Sequence, residues 1–287
     1  MKKAILVATI GAMTLGVNAG DWGKAPVGKA PIEECIDLGG EIAVGWMSDY
    51  FYRGYHVATS SVYGEVNYTF DGLAVPITIG AWYLNGVDSP AFLGRSFDEL
   101  QLSASADLGT VAGFDLALAY THHLYPEGLS LIPNGNAFGA GDDLGEVSLE
   151  FSRDLGFATL VGSANYYLDD TTNAGAFGFG GRDLGFYGNV GLERAFGITD
   201  NISLVLAGGV GYVDMLGNTP FAQRGWNHYY LQASLPIQLN CRTTLTPYIG
   251  YNNQSSFTAN SNPVSVLGGL PVDDSVVHGG VALSVTF

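Results

Sequence analysis

Residues 41–53 read Glu-Ile-Ala-Val-Gly-Trp-Met-Ser-Asp-Tyr-Phe-Tyr-Arg, and the alternation within them decides the class of fold. Ile42, Val44, Trp46, Tyr50 and Tyr52 share one parity, while Glu41, Ala43, Gly45, Asp49 and Arg53 share the other. Successive side chains of a strand point to opposite faces, so this two-residue period describes a strand held between two different solvents. The same rule recurs over roughly 60–70, 73–84, 97–108, 113–125, 144–153, 157–168, 183–194, 201–213, 226–238, 242–252 and 276–287, which with the first segment makes twelve strands. Leu100, Leu102, Ala104, Ala106 and Leu108 alternate with Glu99, Gln101, Ser103, Ser105 and Asp107, and Val281, Leu283, Val285 and Phe287 with Gly280, Ala282, Ser284 and Thr286. At about 10–13 residues the segments are roughly twice the length usual in soluble sheets, and suit a tilted strand crossing a bilayer.

Working outward from these segments, the connections alternate in length. Asp71-Gly72, 109–113, 154–156, 195–201 and Asn240-Cys241 are tight, whereas 85–96, 126–143, 169–182, 214–225 and 253–275 are longer. Bacterial barrels pair short periplasmic turns with longer outer loops, so the pattern predicts an all-β transmembrane antiparallel β-barrel of about twelve strands with both termini periplasmic. Phe70, Phe114, Phe151, Phe157 and Phe287 fall near the periplasmic strand ends, and Tyr50, Tyr52, Tyr83, Tyr166, Tyr212, Tyr229 and Tyr251 near the outer ends, as two interfacial aromatic belts would.

Lys2 and Lys3, an apolar run from Ala4 to Leu15 and the small-residue pattern Val17-Asn18-Ala19 read as a signal peptide, 1–19. The run is shorter than the ~20 residues of a spanning helix. Residues 20–39, without period, read as a periplasmic lead-in, and 40–287 as the barrel. The chain has a formal net charge of −16, with two of its few bases in the leader, which excludes nucleic acid as a partner. Outer-membrane lipid and lipopolysaccharide are the expected surroundings. The alternating strand that ends in Phe287 resembles the signal by which such barrels reach the barrel assembly machinery.

Ser48-Asp49-Tyr50-Phe51-Tyr52-Arg53-Gly54, followed by Val62-Tyr63-Gly64-Glu65-Val66-Asn67-Tyr68, resembles the first hairpin of a family of uncharacterised proteobacterial outer-membrane proteins named for a Gly-Cys-Trp (Gcw) motif. The resemblance covers about thirty residues, includes no Gly-Cys-Trp, and implies an exported barrel without a known activity.

The inner parity collects Glu41, Asp49, Glu65, Glu99, Asp107, Asp115, Glu146, Glu150, Asp183 and Glu193, with Arg53 as nearly the only base. Tyr63, Trp82, Tyr167, Tyr187, Tyr230 and Tyr248 share that face, able either to stack on a sugar or to fill the bore. Carboxylates inside a low-dielectric tube favour cations, and the alternative is a closed barrel with a merely polar interior. Twelve strands lie between barrels filled by side chains and open sixteen-stranded porins, so size leaves both readings open. His122 takes the outward parity without a serine placed for activation, and His123, His228 and His278 fall inward or at the rim, so no catalytic group and no cofactor is expected. The acidic pairs Asp142-Asp143, Asp169-Asp170 and Asp273-Asp274 fall on outer loops, as solvated loop ends or surface sites for divalent cations. Cys35 and Cys241 are the only cysteines, and an exported chain favours their pairing. The expected function is a pore or narrow channel for small hydrophilic solutes or ions, with a preference for cations. The alternative is a non-conducting structural or surface-interaction barrel that works through its loops.

Overall fold

The computed structural model describes residues 38–89, 95–124, 144–169, 185–215, 224–253 and 275–287. Its strands are β1 (Gly40–Tyr52), β2 (Tyr55–Phe70), β3 (Ile77–Ser89), β4 (Arg95–Val111), β5 (Phe114–Leu124), β6 (Leu144–Asp154), β7 (Thr159–Asp169), β8 (Gly185–Thr199), β9 (Ile202–Met215), β10 (Arg224–Ser234), β11 (Ile237–Gln238), β12 (Thr243–Asn253) and β13 (Ser275–Thr286). All pairings are antiparallel between neighbours, and β1 closes the sheet onto β13 through Glu41↔Thr286 to Met47↔Gly280. β10 and β11 are one stave interrupted at Leu235-Pro236, so the barrel has twelve staves. Pro236 has no N–H to give a ladder, and its carbonyl instead accepts from Ser203 N at 3.2 Å.

Up to the level of Met47 and Gly280, closure leaves no open edge among the described residues, which is the condition for strands to cross hydrocarbon. The outward parity is apolar and exposed throughout: Ile42, Val44, Val62, Val66, Ile79, Leu102, Leu118, Leu149, Leu192, Leu206, Leu231, Ile249 and Leu283 all stand on it. Apolar surface continuous around a molecule cannot face water at this extent, so it faces lipid. Tyr83 and Tyr166 are exposed at one end of this band, and Phe70 and Phe157 at the other. The inward parity is buried and largely polar, as the alternation predicts, with Gln101, Ser105, Thr121, Ser148, Ser163, Asn165, Gln232, Thr246 and Ser284, and apolar at positions such as Ala117, Ala119, Val205 and Val213.

Both described chain ends lie at one end of the barrel, where Leu38 N and Gly40 N donate to Phe287 O at 2.9 and 3.0 Å and the Phe287 ring occupies the space a side chain at position 40 would need. Two-residue turns at Ala112-Gly113 and Asp200-Asn201 close the same end, tighter than the alternation predicts. The β2–β3 connection is longer than the expected Asp71-Gly72, because β3 begins only at Ile77. At the opposite end β1 and β2 are joined by Arg53-Gly54 alone.

Tyr50 and Tyr52 are corrections. Both were expected on the lipid face, yet Tyr50 is completely buried and Tyr52 reaches into the lumen. The ladder between β1 and β2 skips the position of Ser48 and Ser60 and shifts register between Tyr50 and Phe51, and this irregularity turns the tip of the hairpin off the wall.

Candidate functional site

The inward tip spans residues 48–58, and its course is marked by the pairings that stop. β1 leaves β13 after Met47↔Gly280, although β13 continues against β12 as far as Asn253↔Ser275. β2 first meets β3 at Thr59↔Asp88. Between these points the ladder described for the hairpin runs between its own two arms, through Asp49↔Thr59, Tyr50↔Ala58, Phe51↔His56 and Tyr52↔Tyr55.

Arg53 and Gly54 form its turn with φ of 53° and 87°. Two successive left-handed residues are the signature of a tight hairpin turn in which Asn-Gly is usual, so arginine here holds a backbone conformation that its side chain disfavours. Gly54 is required twice, by its φ and because the His228 ring takes the place of any side chain.

The tip crosses the bore to the far wall. Arg53 Nη2 donates to Glu146 Oε1 on β6 at 2.5 Å, and both side chains have no exposed surface. The guanidinium lies 4.5 Å from the ring centroid of Tyr187 on β8, with Tyr52 and Tyr167 at 5.5 and 5.9 Å. Asn227 on β10 donates to the carbonyl of Arg53 at 2.8 Å and meets His228 Nδ1 at 2.7 Å. Tyr52 OH lies 3.2 Å from Tyr167 OH and 3.4 Å from Glu146 Oε2. Ser148 binds Glu146 and Asn165, each at 2.8 Å, and Asn165 and Asn189 converge on Ser163, so the anchoring carboxylate is fixed from below by a row of small polar side chains.

The nearer flank of the tip is held as firmly. Tyr50 OH donates to Glu99 Oε2 at 2.7 Å, and Glu99 Oε1 meets His123 Nδ1 at 2.7 Å and Gln101 Nε2 at 2.9 Å. Tyr50 packs on Trp82 and Phe97, with centroids 5.7 and 5.9 Å apart. Opposite, His56 Nε2 approaches Asp49 Oδ1 at 2.9 Å, Ser48 donates to Asp49 at 2.7 Å, and Phe51 stacks on His56 and lies tilted against His278.

The expected lumen residues therefore divide into two tiers. Asp49, Glu99 and Glu146 belong to the hairpin's anchorage, each faced by Arg53 or a histidine. Glu41, Glu65, Asp107, Asp115, Glu150 and Glu193 line the wall nearer the end that carries the chain termini, where Glu65 accepts from Asn67 at 2.6 Å. Among the described side chains, Arg53 is the one arginine inside the bore. Tyr63 and Trp82 lie 6.3 Å apart, Tyr230 stacks on His228, and Tyr248 packs against His278. Cys241 is disulfide-bonded in the turn before β12. Cys35, Asp142, Asp143, Asp170, Asp183, Asp273 and Asp274 lie outside the described residues, as does the side chain of Asp169.

The sequence did not mark His56, His123 or Asn227 as parts of one site. The signal available was Arg53 itself: the lone base on an acidic face, placed where the turn demands a left-handed residue.

A closed antiparallel barrel with a lipid-facing apolar wall and a polar interior is a bacterial outer-membrane β-barrel. No family model and no curated protein matches the chain. Among solved structures, an outer-membrane channel from Pseudomonas putida is similar at a TM-score of 0.50 and 13% identity, over 91% of this chain and 100% of that one. The NanC porin gives 0.43 and 10%, over 86% and 98%, and the KdgM porin in complex with disordered oligogalacturonate 0.45 and 8%, over 86% and 99%. At 13% identity the likeness to the Pseudomonas putida channel shows the fold alone.

Proposed function

We propose that this chain is a passive outer-membrane pore, a narrow channel for small hydrophilic solutes, whose lower acidic tier favours cations. The observation that carries the reading is the inner wall, which is hydrophilic on stave after stave, from Ser284 and Thr246 through Gln101 and Ser105 to Ser163 and Asn189. A barrel that served only to display loops would gain from an apolar filling, since buried polar groups must each find a partner. The names of the structural neighbours, a channel and two porins, point the same way.

In this reading the end with the chain termini faces the periplasm, lipopolysaccharide surrounds the other end, and Phe287 serves the assembly machinery. The hairpin in the bore favours the second reading, a non-conducting barrel working through its loops. Conductance of the purified, folded protein in a planar lipid bilayer separates them. Small discrete steps support the pore, and silence from folded protein, both intact and with the hairpin shortened, transfers the assignment to the structural barrel.

A further inference from the structure

We propose that the β1–β2 tip is a two-position gate, latched across the bore by Arg53 on Glu146 and able to swing back into the wall against the free edge of β13; this rests on the pore reading above. Three independent observations converge on it.

The first is a vacancy of the right length. Among the described residues, β13 has no partner on its β1 side from Ser275 to His278, and Gly279 N is held by the Ser48 hydroxyl at 2.9 Å, while the same stretch is fully paired to β12. Continuing the register of Met47↔Gly280 sets Tyr50 opposite Val277 and Tyr52 opposite Ser275. Five backbone positions of the tip match the vacant edge of β13.

The second is a hinge. Ser48 and Ser60 are the positions the β1–β2 ladder skips, and Ser60 takes a left-handed φ of 48°, which a serine adopts rarely. The tip beyond them is internally paired, so it can turn about this point as a unit without giving up its own ladder. A few residues at an element's end that absorb a backbone change are what hinge motions use.

The third is the sequence pattern. In the wall position the parity of Ile42, Val44 and Trp46 resumes after Ser48, and it puts Tyr50 and Tyr52 outward towards the rim, as with the other outer-end tyrosines. The alternation thus specifies a wall strand, and the contacts of Tyr50, Tyr52 and Arg53 specify a plug. One segment satisfies both arrangements, with the hydrogen bonds of the plugged state coming from Glu99, Glu146 and Asn227 and those of the wall state from the β13 edge. The latched arrangement also leaves Arg53 Nε and Nη1 buried without a hydrogen-bond partner among the described residues, a cost that the wall position relieves. Two discrete arrangements of one element are the structural basis of a switch. In the inward position the tip narrows the bore at the outer half, and in the wall position it opens it.

The test uses a pair that only the wall state brings together. Tyr50 is fully buried in the lumen while Val277 is 67% exposed on the opposite face of the wall, so cysteines at these positions cannot bond in the latched form. The variant Tyr50→Cys/Val277→Cys should cross-link under mild oxidation, read by the mobility of the unboiled barrel. It should cross-link faster when Arg53→Ala is added. Conductance of the cross-linked protein should rise severalfold and lose its fluctuations, and fall back on reduction, with the otherwise unchanged protein treated alike as control. A folded variant that does not cross-link even with Arg53→Ala overturns the proposal, as does a cross-link that leaves an existing conductance unchanged. Cross-linking without conductance in any form, including a chain with the hairpin shortened, fails the pore reading separately.

Discussion

At the scale of single residues, the decisive group is a fully buried guanidinium. Withdrawing a charge from solvent costs several kcal/mol unless its partner and further polar contacts are in place; Glu146 supplies the counter-charge and the Tyr187 face a further contact, Asn227 holds the backbone of the turn, and Nε and Nη1 have no hydrogen-bond partner among the described residues. Glu146→Ala removes the counter-charge but leaves the cation buried, which costs about 3–5 kcal/mol where the environment cannot relax. We expect a clear fall in the urea midpoint of the folded barrel. Replacing both partners, Arg53→Met with Glu146→Leu, should recover most of it, because no buried charge is left. An unchanged midpoint for Glu146→Ala would mean that the tip leaves the bore freely. Gly54→Ala should also unlatch the tip, because φ of 87° and the His228 ring both oppose a side chain there. Its cost should exceed the ~1–2 kcal/mol by which a Cβ disfavours the left-handed region, because the ring contact adds to it. The same urea titration reads it.

At the scale of elements, the staves were legible and the hairpin was not, for one physical reason. β4, β6 and β7 lie within a residue or two of the expected segments at most of their ends, because water and lipid act on each side chain locally and print a period of two on the sequence. The tip obeys the same period, but its position is decided by Arg53 and Glu146, 93 residues apart, and by Asn227, 174 residues from Arg53. No local pattern encodes such a pairing. The interrupted stave at Pro236 was carried as one strand from 226 to 238, since alternation continues across a residue that cannot donate. The covalent tie belongs to this scale as well. Cys241 is bonded in the turn before β12, and we propose Cys35 as its partner, which would fasten the lead-in beneath the barrel. Thiol labelling of denatured, unreduced protein should find no reactive cysteine, and mass analysis of its peptides should return the 35–241 link. Two labelled thiols would dispose of it.

At the scale of the whole molecule, the distribution of charge makes the last prediction sharper than a count of acids could. A carboxylate neutralised or engaged within the hairpin's anchorage contributes less to the field along the bore, so Glu146, paired with Arg53, and Asp49 and Glu99, which accept from Ser48 and Tyr50, are poor candidates for selectivity. Glu65 and Glu193 lie in the lower tier, away from Arg53, the one arginine described inside the bore, and their field reaches a passing ion over a Debye length of ~10 Å at 0.1 M salt. The channel should therefore prefer cations, and more strongly in dilute salt. Glu65→Gln with Glu193→Gln should move the reversal potential across a salt gradient towards zero. Glu99→Gln should move it far less while loosening the tip, which depends on Glu99 through Tyr50. All three proteins should show the same heat-dependent shift in gel mobility, because lumen positions tune permeation and lipid-facing ones carry the cost of insertion. Anion preference in the unchanged protein, or an equal effect of Glu99→Gln, would show that the two tiers do not divide the work in this way, and that the hairpin rather than the acidic wall sets which ions pass.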